Sequence, residues 1–290
     1  MLIHRRSILA GMLALSLPQA RAAAAIVRYP RSEPRDPASE HYPVRLLRMA
    51  LERSGHQYAL QSTSIMMRQS RALLELQSGR ILDVMWTMTS REREQDLLPI
   101  RIPLDRGLIG WRLLLIRKSD MARFAAIRKI EELRAMTALQ GHDWPDTDIL
   151  RANGFKVQTA SDYAGMFGML ASGRVDYFPR ATFEIWDEAE AHAGDELVVA
   201  PGLALYYPSA FYYFVNKRNV ALAADIERGM ALMLADGSYE KLFHEYFGAM
   251  IERAALTKRR TFSLRNPLLP HATPLARREF WYRPNGHSKG

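Results

Sequence analysis

Apolar positions in this chain fall into short blocks that alternate between strand-like runs and helical spacing. Ala24 to Tyr29 is an apolar run closed by Pro30 and predicts a first strand; the polar, proline-rich RSEPRDPASEHY after it predicts a loop. From Tyr42 to Arg53, Val44, Leu47, Ala50 and Leu51 share one helical face, with Gly55 as the stop. Tyr58 to Gln61 predicts a short strand, Ser70 to Gln77 a helix ended by Gly79, and Ile81 to Trp86 another strand. A polar turn, Thr87 to Ser90, then opens an extended run punctuated by Pro99 and Pro103, which ends in the apolar strand Trp111 to Ile116. Strand and helix alternating at this spacing predict a parallel α/β unit.

The pattern then restarts. Ile127 to Leu133 predicts a helix, Met136 to Gln140 a strand ending at Gly141, and Asp148 to Ala152 a helix launched by the turn His142 to Asp146. Lys156 to Gln158 and Val175 to Phe178 read as strands, Tyr163 to Ala171 and Phe183 to His192 as helices. Beyond Leu197 to Val199 come the aromatic strand Phe211 to Val215 and two helices, Leu222 to Leu234 and Tyr239 to Phe247. A basic, proline-rich tail follows, in which Trp281 and Tyr282 predict local packing.

The N-terminus has the plan of a leader rather than of a fold. Arg5-Arg6, the apolar Ser7 to Leu17 and Ala20-Arg21-Ala22 match the three regions of a signal peptide over residues 1–24. The arginine pair leaves general and twin-arginine export both open. With no cysteine there is no residue to take a lipid, no disulfide and no thiolate, so a periplasmic, unanchored protein is expected. The formal charge of +9 stays positive without the leader's arginines. For an exported chain that suits an anionic solute or membrane surface better than nucleic acid.

Chemistry concentrates just past the strand ending at Trp86, where Thr87, Thr89 and Ser90 precede Arg91 and Arg93. Ligands of open α/β sheets sit beyond such strand ends, and guanidinium groups grip planar anions. These residues make a candidate anion or carboxylate site; two arginines that merely solvate a loop are the alternative.

Four motifs in order resemble those of periplasmic solute-binding proteins of the amino-acid ABC importer type. Ser90-Arg91-Glu92-Arg93 is similar to that family's T-x-x-R turn, with Pro103 as the following proline. Leu139-Gln140-Gly141 is similar to the strand end that opens its second ligand-binding helix. Leu170 to Asp176 matches L-x-x-G-R-x-D, and Leu234 to Leu242 matches x-x-D-G-T-Y-x-K-L. The resemblance implies a two-lobed α/β fold of type II, each lobe a mostly parallel sheet flanked by helices, with two hinge crossings near Ile116 to Ser119 and Ser209 to Tyr212. It implies residues 25–117 and 211–257 in the first lobe, 118–210 in the second, and an extension over 258–290.

The function so implied is capture of a small polar or anionic solute, amino-acid-like or a carboxylate, for a membrane permease; a membrane sensor reading the same fold is the other possibility. Arg93 is the expected anchor, with Ser90, Thr87 and Thr89 beside it and Arg91 in reserve. Tyr29 stands where the family often supplies an aromatic wall. His142 and Trp144 stand where it offers Ser or Thr, and Arg180 where it usually has a carboxylate. No nucleophile elbow, phosphate loop or H-E-x-x-H occurs. Glu188 and His192, four apart, read as part of a solvated face with Asp187 and Glu190 rather than as metal ligands. A monomer without enzyme activity, cofactor, metal or nucleic-acid partner is expected.

Overall fold

The computed structural model describes residues 24–31 and 37–284, so the expected leader lies outside the described residues but for its last position. The first lobe runs β1 (Ala25–Arg31), α1 (Pro37–Arg53), β2 (Tyr58–Met66), α2 (Gln69–Ser78), β3 (Val84–Met88), α3 (Arg91–Asp96) and β4 (Leu97–Ile100). Beyond a crossing segment come β5 (Trp111–Arg117), α4 (Met121–Ala126), α5 (Ile130–Ala135), β6 (Thr137–Gly141) and α6 (Pro145–Ala152). The second lobe continues through β7 (Lys156–Ala160), α7 (Tyr163–Ala171), β8 (Phe178–Ala181), α8 (Ile185–Ala191), β9 (Leu197–Val199) and β10 (Leu203–Tyr206). The return crossing leads to β11 (Phe211–Asn216), α9 (Val220–Ala235) and α10 (Ser238–Ala254), and the tail adds β12 (Arg260–Ser263).

The two-lobed α/β plan is as expected, and its sheets are mixed. Strands linked through helices pair in parallel: β1 with β2 and β6 with β7. Strands that follow a crossing insert antiparallel, β11 between β3 and β4, and β5 against β8, β9 and β10. A strand without a βαβ crossover has no reason to run parallel.

Strand β5 is buried from Trp111 to Ile116 and belongs by its pairing to the second lobe. The outgoing crossing is therefore 101–110, earlier than the segment read from the sequence, and the returning one is 207–210. The two run side by side: Leu104 N–H donates to Phe211 O at 2.8 Å and Tyr207 N–H to Gly110 O at 3.2 Å. Their approach leaves no room at Gly110, where a Cβ would lie 2.2 Å from Tyr207 O.

Several elements differ from the sequence reading. Helix α1 begins inside the stretch read as a loop, because Pro37 suits a first helical turn and Pro43 is accommodated within it. Helix α3 replaces the start of the extended run. It has no apolar periodicity, and it is held by the Ser90 hydroxyl, which accepts from Arg93 N–H, and by Glu92 and Glu94 in its first turn.

The tail touches both lobes. Strand β12 extends the second lobe's sheet in parallel with β10, and Arg265 and Asn153 exchange two hydrogen bonds. Asn266 Nδ2 donates to Pro208 O in the returning crossing at 2.8 Å, and Leu268 O accepts from Arg91 N–H in the first lobe at 3.0 Å. Phe280 and Trp281 are buried, the indole lying over Gly107, and Tyr282 N–H donates to Arg106 O. No helix among the described residues is long and apolar enough to cross a membrane.

Candidate functional site

Between the lobes lies a cavity of ≈ 300 Å³ lined from both sides and from the outgoing crossing. Its walls carry aromatic and thioether side chains, among them Trp86, Trp144, Phe183, Phe211, Met85 and Met166. Its floor is ionic. Arg112, a lone charge in the apolar run of β5, is 3 % exposed and pairs with Asp146 at 2.6 Å on the first turn of α6. Its Nε donates to the Tyr207 hydroxyl at 2.9 Å, and Glu184 lies 3.8 Å from Nη1. Burial works against this cation, but Asp146, Tyr207 and Glu184 together hold its pKa above the ordinary value.

Arg180, the last but one residue of β8, is 2 % exposed and grips Glu188 bidentately, at 2.7 Å from Nε and 2.6 Å from Nη2. Glu184 is 3.0 Å away, and the guanidinium stands over the Trp144 and Phe178 rings at 4.9 and 4.8 Å. Here too burial is outweighed by two carboxylates, and the pKa is raised. Glu188 is thus a buried partner 8 % exposed, not the solvated residue expected; among the described residues there is no group of three or more His, Cys, Asp or Glu that could hold a metal. His192 instead stacks on Phe167 and meets Asp195.

Of the residues singled out from the sequence, His142, Trp144 and Arg180 line the cavity. Trp144 caps α6 and folds back over Gly141, where a Cβ would lie 2.5 Å from the indole; that contact is why the strand ends in glycine. The position that reads as a cation opposing a ligand ammonium is neutralised by Glu188 and Glu184. Tyr29 packs on Trp86, 5.9 Å between ring centroids, behind the lining residue Pro30.

Arg93 is not an open arginine on a loop. It is 9 % exposed, and its guanidinium donates to Thr87 Oγ1 and Met88 O, both at 2.7 Å, and to Gln69 Oε1 at 2.6 Å. A longer bond, 3.4 Å, reaches Asp143 O across the cleft. Every one of these acceptors is uncharged. Among the described residues no carboxylate oxygen stands within ion-pair distance, and burial pulls the Arg93 pKa down to about 10, with Asp143 and Asp146 offsetting part of the shift. Thr87 and Ser90 are spent on holding Arg93 and its helix, and the Thr89 hydroxyl donates to Glu94. Arg91 is exposed, with its N–H bonded to the tail.

Asp105, which the sequence reading passed over, lines the cavity from the crossing at 1 % exposure. Its carboxylate accepts from Gly107 N–H at 3.0 Å and Ile109 N–H at 2.6 Å. Burial pushes its pKa up to about 7 against the pull of those amides and of Arg112. The sequence signal was an Asp-Arg-Gly turn, which predicts side chain-to-backbone bonding and says nothing of a cavity.

No protein-family model matches the chain, and no curated protein matches it. Solved structures do. An ancestral arginine-binding protein bound to arginine superposes with a TM-score of 0.58 at 17% identity, over 77% of this chain and 99% of that one. The probable amino-acid ABC transporter extracellular-binding protein of Bacillus subtilis gives 0.59 at 18%, over 78% and 98%. A histidine kinase sensor domain with similarity to periplasmic binding proteins gives 0.58 at 20%, over 79% and 97%. These likenesses show the fold: the chain has the two-lobed architecture of the periplasmic-binding proteins.

Proposed function

We propose that this chain is an exported, periplasmic solute-binding protein that captures an amino-acid-like or carboxylate-bearing solute between its lobes and presents it to an ABC importer. The observation that carries the reading is Arg93, a buried guanidinium that meets only neutral oxygens and stands directly behind Gln69 of the cavity wall. A ligand carboxylate that displaced the Gln69 amide would give it a charge-assisted partner, and such bonds are roughly twice as strong as neutral ones. In this reading Thr87, Thr89 and Ser90 hold the turn, Tyr29 backs the aromatic wall, and His142, Trp144 and Arg180 form the opposite face. A ligand bridging the two faces favours the closed lobes by its differential contacts. Arg112, Asp146, Arg180 and Glu188 are tied in buried ion pairs, which favours binding over catalysis at these groups.

The test is calorimetric titration and thermal shift of the protein with amino acids, di-acids and sugar acids. A ligand at 100 times its dissociation constant should stabilise by about 2.7 kcal/mol. No shift with any of them would refute the reading. A second reading, a sensor module, is favoured by the likeness to a sensor domain. It predicts ligand-dependent association with a histidine kinase ectodomain rather than with a permease, measurable by co-purification from membranes. Export is checked by intact mass: a mature N-terminus near Ala23 is expected from the leader.

A further inference from the structure

The charges that line the cleft are not balanced on its second-lobe side. Asp146, Arg112, Glu184, Arg180 and Glu188 form one connected network of three carboxylates and two guanidiniums. Both guanidiniums have two carboxylates each, so neither is free to receive an anion. Asp105 adds a further carboxylate at the hinge end of the cavity. Among the described residues no cation stands within ion-pair distance of it, and two backbone amides occupy only part of its acceptor capacity. Those amides belong to the crossing itself, so the carboxylate is held in place whether the lobes are near or far. On the first-lobe side the imbalance has the opposite sign, through Arg31 and Arg68 in the lining and Arg93 behind the lining residue Gln69.

We propose that Asp105 is the cation subsite of the cleft and receives an ammonium or guanidinium group, so that the ligand is an organic cation or zwitterion and not a plain carboxylate. This rests on the cleft-binding reading above. The opposed imbalances orient the ligand, with any anionic group towards Arg93 and the cationic one towards the crossing. The aromatic walls between them suit a cation with an apolar body.

Asp105 also makes capture depend on pH. The groups that face it are Arg106 beside it, Arg112 on β5, Tyr42 on α1 and Tyr239 on α10. Both tyrosines have pKa values raised by burial and, like Arg112, hold one protonation state between pH 6 and 8. Asp105, with its pKa near 7, does not. A cation binds its ionised form, so affinity rises with pH, by roughly tenfold between pH 6 and 8 for a pKa near 7.

The experiment titrates the wild type and Asp105→Asn with three kinds of probe at pH 6 and pH 8. The probes are amines without a carboxylate (phenethylamine, agmatine), the amino acids phenylalanine and arginine, and desamino acids (phenylpropionate). Expected is that at pH 8 probes with a cationic group bind the wild type roughly thirtyfold or more tightly than the variant, with a much smaller difference at pH 6 and the Asp105 part of the pH dependence lost in the variant. Desamino acids should bind both proteins alike and weakly. Thermal unfolding of the unliganded variant checks that it folds, and Asp105→Glu, which keeps the charge, should keep part of the affinity. Desamino acids binding as tightly as their amino counterparts, or cationic probes indifferent to Asp105→Asn, would overturn the cation subsite while leaving a solute cleft. Failure of all three kinds would overturn both.

Discussion

Replacing Glu188 by alanine tests the ionic floor most directly. Arg180 would then be a guanidinium 2 % exposed that has lost its bidentate partner, and the Tyr163 hydroxyl would lose its acceptor. Glu184 remains at 3.0 Å, but that carboxylate is shared with Arg112. Removing one member of a buried pair leaves an uncompensated charge and costs about 3–5 kcal/mol. For a chain of this size that is a fall of about 5–8 °C in the unfolding midpoint. Urea denaturation followed by tryptophan fluorescence measures it, since Trp144 and Trp186 lie close to the pair. Glu188→Gln should cost less, because the amide still accepts one bond. The double variant Arg180→Met/Glu188→Met should recover most of the loss, because an apolar pair needs no desolvated charge. A cost below about 1 kcal/mol for Glu188→Ala, the value of a solvent-screened pair, would refute the claim that the floor is a buried network.

Three further outcomes are expected. Arg93→Ala should lower the stability of the unliganded protein by about 2–3 kcal/mol, since bonds to Thr87, Met88 and Gln69 are lost. Arg93→Lys should recover part of that, and an unchanged urea midpoint in the alanine variant would return Arg93 to the surface. The unfolded chain releases the Asp105 proton near 3.8 whereas the folded one keeps it to about 7. Wild-type stability should therefore fall relative to Asp105→Asn as pH rises from 4 to 8, by roughly 4 kcal/mol; parallel stability–pH curves would contradict this. Deleting residues 259–290 should lower the unfolding midpoint and enlarge the radius of gyration measured by X-ray scattering, because β12 and the buried Phe280 and Trp281 go with them; identical scattering and midpoint would show that the tail is a passenger.

Much of the fold is legible in the sequence because it is written in short-range patterns. The faces of α1 and α2, the glycine stops and the apolar strands are all properties of a dozen residues or fewer. Helix α3 was missed because a Ser90 cap and acidic first turn carry no hydrophobic period. The crossing was placed too late because an apolar strand such as β5 fits either lobe, and only its pairing with β8 decides. The site is less legible still. Arg112 inside an apolar strand is a visible sign of a buried ion pair, yet its partner Asp146 is 34 positions away and its bridge Glu184 is 72. Glu188 looks like its neighbours on a charged helix, and only the approach of β8 makes it a core residue.

The tail sets a bound of a purely geometric kind on how far the lobes can part. Arg265 is the last residue bonded to the second lobe, through Asn153, and Leu268 the first bonded to the first lobe, through Arg91. Three residue steps of fully extended chain reach at most about 11 Å. While both anchors hold, those two points cannot separate further than that, whatever the cleft contains. A solute must enter through the gap this leash allows, or the leash must first come off one of its posts.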